Sequence, residues 1–246
     1  MLKRQLKKIY SQDNQDGFTI IESLVAVIVL GILMTAIAPT IVISTATRVQ
    51  SRRVELATLA AGAYIDGVTS GNIPAPPVSG TNADINAPGT DLDCDDIDDL
   101  KTNKGYCSSP GGDTSSYKVF CVDGSGDGKC TKNEAKDMIV QAFGFNSDST
   151  VDSSGDEAEV QIIRASRGYN LSFRVYRADA FKDNTALDKG EDGKTQSTFT
   201  GGLGKRKEPL TQVTTEIVVA GQTTFQNWCK RLEGSTGRNS NSDCSN

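Results

Sequence analysis

The sequence predicts an α+β fold in which one long N-terminal helix packs against an antiparallel β-sheet. Two patterns support this prediction. The N-terminal segment is apolar and compatible with a helix, and the rest contains short β-type runs without the βαβ alternation of a parallel sheet. The 246 residues suffice for one domain with an appended element. We expect the part that follows the helix to be a loop-rich head held by disulfides.

Composition excludes several classes of function. The 26 Lys+Arg and 31 Asp+Glu give a net charge of -5. Nucleic-acid binding favours a basic face, so no nucleic-acid partner is expected. The chain contains no histidine, which removes Ser-His-Asp and Cys-His catalysis and zinc sites with imidazole ligands. No carboxylate pair can be placed in a pocket from the sequence, and we expect no enzymatic activity.

A basic leader precedes a long apolar run. Four of the first eight residues are Lys or Arg, and residues 23–47 form an uncharged stretch of 25 residues. About 20 residues are enough to cross a bilayer as a helix. Residues 18–43 are therefore predicted to be the transmembrane half of the helix, with the leader on the cytoplasmic side by the positive-inside rule.

Two ordinary explanations of such a segment fit poorly. A secretory signal has an apolar core of roughly 7–15 residues, whereas here the run is longer, contains Glu22, and has Pro39 directly after the small residues of a cleavage site. A plain membrane anchor leaves Glu22 unexplained, because a carboxylate near hydrocarbon costs about 2.5–3.5 kcal/mol on insertion scales.

The segment GFTIIES at 17–23 resembles the processing site of type IV pilins and pseudopilins. This resemblance implies a pilin-like fold and removal of residues 1–17 by cleavage between Gly17 and Phe18, with N-methylation of Phe18. It also implies that Glu22 and Pro39 are the family's assembly glutamate and helix-bending proline. The implied partners are a prepilin peptidase, other pilins or pseudopilins and the inner-membrane assembly platform. The subunit is then expected first as a single-pass inner-membrane protein and later in a periplasmic or cell-surface filament.

Glu22 needs a partner wherever the dielectric constant is low. An unpaired buried carboxylate is unfavourable, and cleavage would free an amino group at Phe18 of a neighbouring subunit. Such a pair would set the axial register between subunits. A protonated Glu22 in lipid is the alternative.

The helix is predicted to continue as an amphipathic half over residues 44–71, with an apolar stripe from Val49 to Tyr64 that includes Leu59. It should end near Gly67, because the prolines at 73–77 cannot extend a helix. The head then covers residues 72–246.

Within the head, residues 78–115 are predicted to be a loop-dominated insert and residues 182–210 a long exposed loop. The second loop contains TGGLGKR, which lacks the spacing and context of a phosphate-binding loop. Five β-type runs are predicted, with a hairpin turn between the third and the fourth: 116–122, 137–145, 158–165, 170–178 and 213–220.

Six cysteines follow the apolar segment, on the side expected to be oxidising, so disulfides are the default. No CxxC spacing occurs. Six cysteines allow 15 pairings, of which nearest-neighbour pairing is favoured: Cys94–Cys107, Cys121–Cys130 and Cys229–Cys244. The last pair would resemble the disulfide-closed C-terminal loop of many pilins.

The run DGSGDG that begins at Asp123 resembles a calcium-binding loop. The ligands predicted for Ca²⁺ are Asp123, Ser125, Asp127, the carbonyl of Lys129 and Glu134. The preceding segment is strand-like and Cys130 replaces an aliphatic residue, so a solvated acidic turn closed by a disulfide remains the alternative. The aspartate-rich run 91–100 is a second candidate cation site, and a solvated, charged loop is its ordinary explanation.

Two further stretches, 48–77 and 120–130, resemble the cyanobacterial hormogonium polysaccharide secretion pseudopilin. This resemblance implies a subunit of a short filament in a type IV pilus-like system that serves polysaccharide export and gliding motility. Two alternatives stay open. One is a minor tip pilin of an adhesive or motility pilus, and the other is a membrane-anchored, calcium-dependent binding domain that retains its leader.

Overall fold

The structure of the chain is a computed structural model that divides into two compact units, residues 1–44 and residues 45–246. It shows the predicted α+β architecture. The described residues are 17, 19–80, 84–91, 94, 97–107, 116–146, 155–198, 204–218 and 223–236. Residues 1–16 of the predicted leader, and Phe18, lie outside them.

Helix α1, Ile20–Thr69, is 50 residues long and continues through Pro39. In the first unit its side chains are exposed, and its length and composition are sufficient to cross a membrane. The helix ends close to the predicted end at Gly67, and Gly71 follows with φ of 76°, a backbone conformation that favours glycine.

In the second unit, one face of α1 enters the core. Its buried residues are Gln50, Ala57, Ala60, Ala61, Tyr64 and Val68. The alanines leave room for close approach of the sheet, whereas Leu59 is 64% exposed and Val49 is 48% exposed. The buried stripe is therefore rotated from the predicted one: small alanines and Tyr64 make the contact, whereas Val49 and Leu59 do not.

The sheet has five strands: β1 Val78–Ser79, β2 Lys118–Val122, β3 Met138–Phe145, β4 Tyr169–Arg177 and β5 Thr211–Ile217. Strand β3 pairs with β4, and β4 with β5, in antiparallel register. On its other side β3 pairs antiparallel with β2 and, near its end, parallel with the two-residue β1. The sheet is thus antiparallel as predicted, with a short parallel addition.

Two hydrophobic clusters cover the two faces of the sheet. On the inner face, the buried side of α1 packs against residues from β3 and β4 such as Val140 and Phe173. On the outer face, Ile139 and Tyr176 are covered by residues from the loops and the short helix α2, Ile97–Thr102. The segment predicted to be a loop-dominated insert therefore contributes to the core through Cys94, among others.

The prediction of a strand at 158–165 is wrong, because helix α3, Glu157–Ser166, occupies this segment. The side chain of Asp156 accepts a hydrogen bond from the backbone N–H of Ala158 at 3.1 Å and caps the helix. Arg164 lies in the last turn, where a cation is favoured. The predicted hairpin turn is instead the connection from α3 to β4, with Gly168 at φ of 87°.

The prediction of a long exposed loop at 182–210 is also wrong in the part that the structure describes. Leu187, Gln196 and Leu210 are buried. The Gln196 side-chain amide donates to the carbonyl of Glu208 at 2.6 Å and accepts from Gln50 of α1 at 2.8 Å. This segment therefore contacts α1 and contributes buried residues to the head.

The disulfides Cys94–Cys107 and Cys121–Cys130 are present, as the spacing favoured. Cys229 is disulfide-bonded and lies in helix α4, Phe225–Thr236. Cys244, its predicted partner, is outside the described residues.

Candidate functional site

The predicted processing site lies one turn before the start of α1. Gly17 is exposed, and a Cβ atom added to it would meet nothing within 4 Å. The described chain therefore leaves room for a larger side chain at position 17.

Glu22 lies in the first turn of α1. Its backbone N–H donates to the hydroxyl of Thr19 at 3.2 Å, so Thr19 caps the helix. The spacing of Thr19 and Glu22 matches the S/T-x-x-E capping box. Glu22 therefore has a local role at the helix start in addition to the predicted role in assembly. A carboxylate at this position also interacts favourably with the positive end of the helix dipole. The side chain of Glu22 is exposed and available to another chain.

The first unit presents an apolar helix surface. Leu24, Ile28 and Leu33, for example, are 53–59% exposed. The hydroxyls of Thr35 and Thr40 donate to the carbonyls of Ile32 and Ile37 at 2.9 and 2.7 Å. These side chains satisfy their donors within the helix, as an apolar surrounding demands. The surface suits burial in lipid or against helices of similar composition.

The predicted calcium loop connects β2 to β3, and we call residues 123–137 the acidic loop. The Cys121–Cys130 disulfide joins the end of β2 to the middle of this loop. Gly126 and Gly128 have φ values of 84° and 82°, which allow the tight turns.

The acidic loop brings together three carboxylates, those of Asp123, Asp127 and Asp137. One oxygen of each lies within 4.8 Å of the others. Asp137 is fully buried, Asp123 is half-buried and Asp127 is exposed. Carboxylate oxygens at this spacing are suitable ligands for a hard divalent cation.

Backbone donors hold two of these carboxylates. Asp123 accepts the N–H groups of Ser125, Gly126 and Gly128 at 2.9, 2.5 and 2.5 Å. Asp137 accepts the N–H groups of Ser125 and Thr131 at 3.1 and 3.3 Å. The same bonds would also stabilise a turn without a cation, so the geometry is compatible with both interpretations of the loop.

The pKa values of the two carboxylates are shifted in opposite directions. Burial raises the pKa of Asp123, but backbone hydrogen bonds from the loop outweigh it, and the net shift is downward. Burial raises the pKa of Asp137; hydrogen bonds from the loop oppose this, the Asp123 charge adds to it, and the net shift is upward. A cation between the two groups would counter their repulsion and favour ionised Asp137.

Of the other predicted ligands, Ser125 and Lys129 contact the grouped carboxylates, and Glu134 lies apart from them. The Ser125 hydroxyl donates to Asp123 at 3.0 Å, and the Lys129 N–H donates to Asp127 at 2.9 Å. Glu134 is not among the three grouped carboxylates. Asp137 was predicted as a strand residue rather than a ligand. The sequence carries no local signal for Asp137, because it is the pairing of Val122 with Met138 that places Asp123 and Asp137 side by side.

In the second candidate cation site, residues 91–100, most of the aspartate side chains lie outside the described part of the structure. Of its six aspartates, the structure describes the side chain of Asp91, which is exposed.

One family model matches the chain, the prokaryotic N-terminal methylation motif, over residues 12–38. No curated protein and no solved structure shows a significant match. The matched residues include the predicted junction at Gly17 and Phe18, as well as Glu22. The chain thus carries a prokaryotic N-terminal methylation motif on an α+β pilin-like fold, which supports a type IV pilin-like protein that a prepilin peptidase processes and that assembles with other pilins.

Proposed function

We propose that this chain is a minor subunit of a type IV pilus-like secretion filament and acts by assembly rather than catalysis. A prepilin peptidase would remove residues 1–17, and the apolar half of α1 would then pass from the inner membrane into the filament. The observation that carries the proposal is α1 itself. Its first part is exposed and apolar and lies largely within the methylation motif, and one face of its second part packs into the core of a head.

The charge distribution at the start of α1 supports an assembly role for Glu22. Cleavage would create an amino group at Phe18, next to a helix end that already carries partial positive charge. A nearby carboxylate would stabilise that amino group. The exposed Glu22 of a neighbouring subunit would provide this carboxylate, and each pair of amino group and carboxylate would fix the position of one subunit along the filament axis.

Substitution Gly17→Val is expected to leave the leader uncleaved. The folded chain has room for the larger side chain, so failure of processing would report recognition by the peptidase. Mass spectrometry of the chain purified from its host should find a wild-type N-terminus at N-methylated Phe18. The variant should begin at the unprocessed leader.

Gly31→Ala is the matched control, since Gly31 lies in the same segment and also has open space around it. It should be processed normally. A wild-type chain that retains residues 1–17 would instead support the membrane-anchored binding domain.

The acidic loop is proposed to bind Ca²⁺ through Asp123, Asp127 and Asp137, with Ser125 and the Lys129 carbonyl as further ligands. Extracellular modules of this kind bind with Kd of about 10⁻⁴–10⁻³ M. At ten times Kd, binding stabilises the native state by about 1.4 kcal/mol. For a chain of this size, that corresponds to a rise in Tm of roughly 3–6 °C.

Asp127→Ala is expected to abolish this calcium-dependent rise in Tm, because it removes an exposed ligand without opening the core. The measurement is thermal unfolding of the detergent-solubilised chain, with calcium and with a chelator. Asp66→Ala, at an exposed aspartate outside both candidate cation sites, should respond like wild type. Glu134→Gln should also keep most of the response, since its carboxylate is apart from the group. An unchanged response in Asp127→Ala would contradict the calcium assignment.

The exported material is proposed to be a polysaccharide, and the filament is proposed to support gliding motility. Deletion of the gene tests this most directly, with surface pili and exported polysaccharide scored in the same strain. Normal pili with loss of polysaccharide and gliding would support the secretion subunit. Loss of the pili themselves would favour a minor tip pilin.

A further inference from the structure

The outer face of the sheet carries a polar groove over β4 and β5, on the side away from α1. Two cavities of about 550 and 410 Å³ form it. They adjoin, because both are lined by Asp84, Arg174, Gly193 and Gln212. Volumes of this size are typical of sites for small organic ligands. Together the cavities could hold more than one ring of a polymer.

Arg174 lies at the floor of the groove and is 9% exposed. Its Nη1 donates to the carbonyl of Ile85 at 2.8 Å and to the side chain of Gln141 at 3.2 Å. Its Cζ lies 5.3 Å from the centre of the Phe143 ring. These contacts fix the guanidinium plane before any ligand arrives.

The charge of Arg174 has no carboxylate partner within 4 Å among the described residues. Its hydrogen bonds to described residues all use Nη1, so Nε and Nη2 keep their donors. A buried guanidinium with free donors is complementary to a carboxylate, which it can bind in bidentate geometry. The floor of the groove is therefore suited to one anionic group.

The rim and walls present acceptors and hydroxyls. Lys189 lies 2.5 Å from Asp84 and 3.5 Å from Glu191, and the side chains of both acids are at least 70% exposed. The hydroxyls of Ser172 and Thr214 hydrogen-bond each other at 2.8 Å on the exposed surface of β4 and β5. These groups can accept from, or donate to, a ligand rich in hydroxyls.

Gln212 adds an oriented amide. Its Nε2 donates to the carbonyls of Gly190 and Lys194 at 2.8 and 3.0 Å. The amide nitrogen is thereby occupied, and Oε1 remains as an acceptor on the groove. Planar, fixed amide and guanidinium groups beside exposed carboxylates match the ring hydroxyls of a sugar.

We infer that this groove binds an acidic saccharide, with a uronate carboxylate on Arg174 and ring hydroxyls on Gln212, Thr214 and the rim acids. One cavity would hold the charged unit and the adjoining cavity its neighbour in the chain. The inference rests on the groove residues. It would provide the site at which the proposed secretion filament contacts its polysaccharide. The two proposals have separate tests, because saccharide binding and the phenotype of the gene deletion are measured independently.

The test is titration calorimetry of the full-length chain in detergent with trigalacturonate. Its fully methyl-esterified form has the same rings without the charges and serves as the matched ligand. A chelator keeps calcium away from both the acid and the acidic loop. We expect trigalacturonate to bind and the ester to bind at least about tenfold more weakly, the effect of losing one charge-assisted hydrogen bond.

Two variants place the binding in the groove. Arg174→Gln should weaken trigalacturonate binding about tenfold or more. Because Arg174 also holds the backbone near Ile85, Thr214→Glu is the second variant, which adds a negative charge at an exposed position of the groove. Thr102→Glu makes the same change at an exposed position outside the lining and should bind like wild type. Equal binding of acid and ester, no binding to wild type, or unchanged binding in Thr214→Glu would overturn the proposal.

Discussion

Substitution Tyr64→Ala is expected to lower the free energy of unfolding of the head by about 4 kcal/mol. Tyr64 is fully buried where α1 meets the sheet. Its ring centre lies 5.2 Å from that of Phe120 and 5.8 Å from that of Phe173. Its hydroxyl is 2.8 Å from the hydroxyl of Tyr106, which donates to the carbonyl of Pro74 at 2.8 Å. Truncation would leave a large cavity and break this chain of hydrogen bonds.

Thermal unfolding followed by near-ultraviolet circular dichroism should show a fall in Tm of roughly 8–16 °C. Tyr64→Phe separates the two contributions, because it keeps the ring and removes one hydrogen bond, at a cost of about 1 kcal/mol. Leu59→Ala changes a large apolar side chain on the exposed face of the same helix and should have little effect. Equal shifts in Tyr64→Ala and Leu59→Ala would mean that α1 does not pack on the sheet as described.

Removal of the Cys121–Cys130 disulfide by a double change to alanine is expected to destabilise the head by about 2.5–3 kcal/mol. The two residues are separated by 9 positions, and the chain-entropy model gives this value for a closed loop of about ten residues. The disulfide restricts the acidic loop in the unfolded chain. Denaturant unfolding under oxidising conditions should show a lower midpoint for the double variant.

Wild-type protein treated with a reductant provides the comparison. It loses the other disulfides as well and should be less stable than the double variant in oxidising buffer. If the double variant unfolds at the wild-type midpoint, the disulfide contributes nothing to stability. The acidic loop would then depend on its hydrogen bonds alone.

Long-range pattern predicted the fold better than local composition did. The uncharged run and its amphipathic continuation predicted α1, and four β-type runs became strands. The prediction of a strand at 158–165 failed because Ile162 and Ile163 suggested a buried strand. In the structure these side chains lie on a helix and are 69% and 42% exposed. The cap at Asp156 was a competing local signal. The prediction for 182–210 failed because a composition rich in glycine and charged residues does not indicate that Gln196 forms a hydrogen bond with Gln50 of α1.

The candidate sites differ in the same way: contiguous motifs could be predicted, whereas residues that only the fold brings together could not. Gly17 and Glu22 could be predicted because the motif is contiguous in sequence and matched by a family model. Asp137 could not, since its approach to Asp123 depends on the register between β2 and β3. The groove at Arg174 is lined by residues from five separate segments of the chain, so no local sequence motif could predict it.

Helix α1 meets two different environments along its length. The first residue of α1 that is buried in the head is Gln50. In the first unit, up to Ser44, the described side chains of the helix are exposed. If the subunit moves from bilayer to filament, the first part exchanges lipid for protein, while the head keeps the same neighbours. Transfer would then resemble partitioning between two solvents, without any refolding, and its free energy would depend on the first half of the helix.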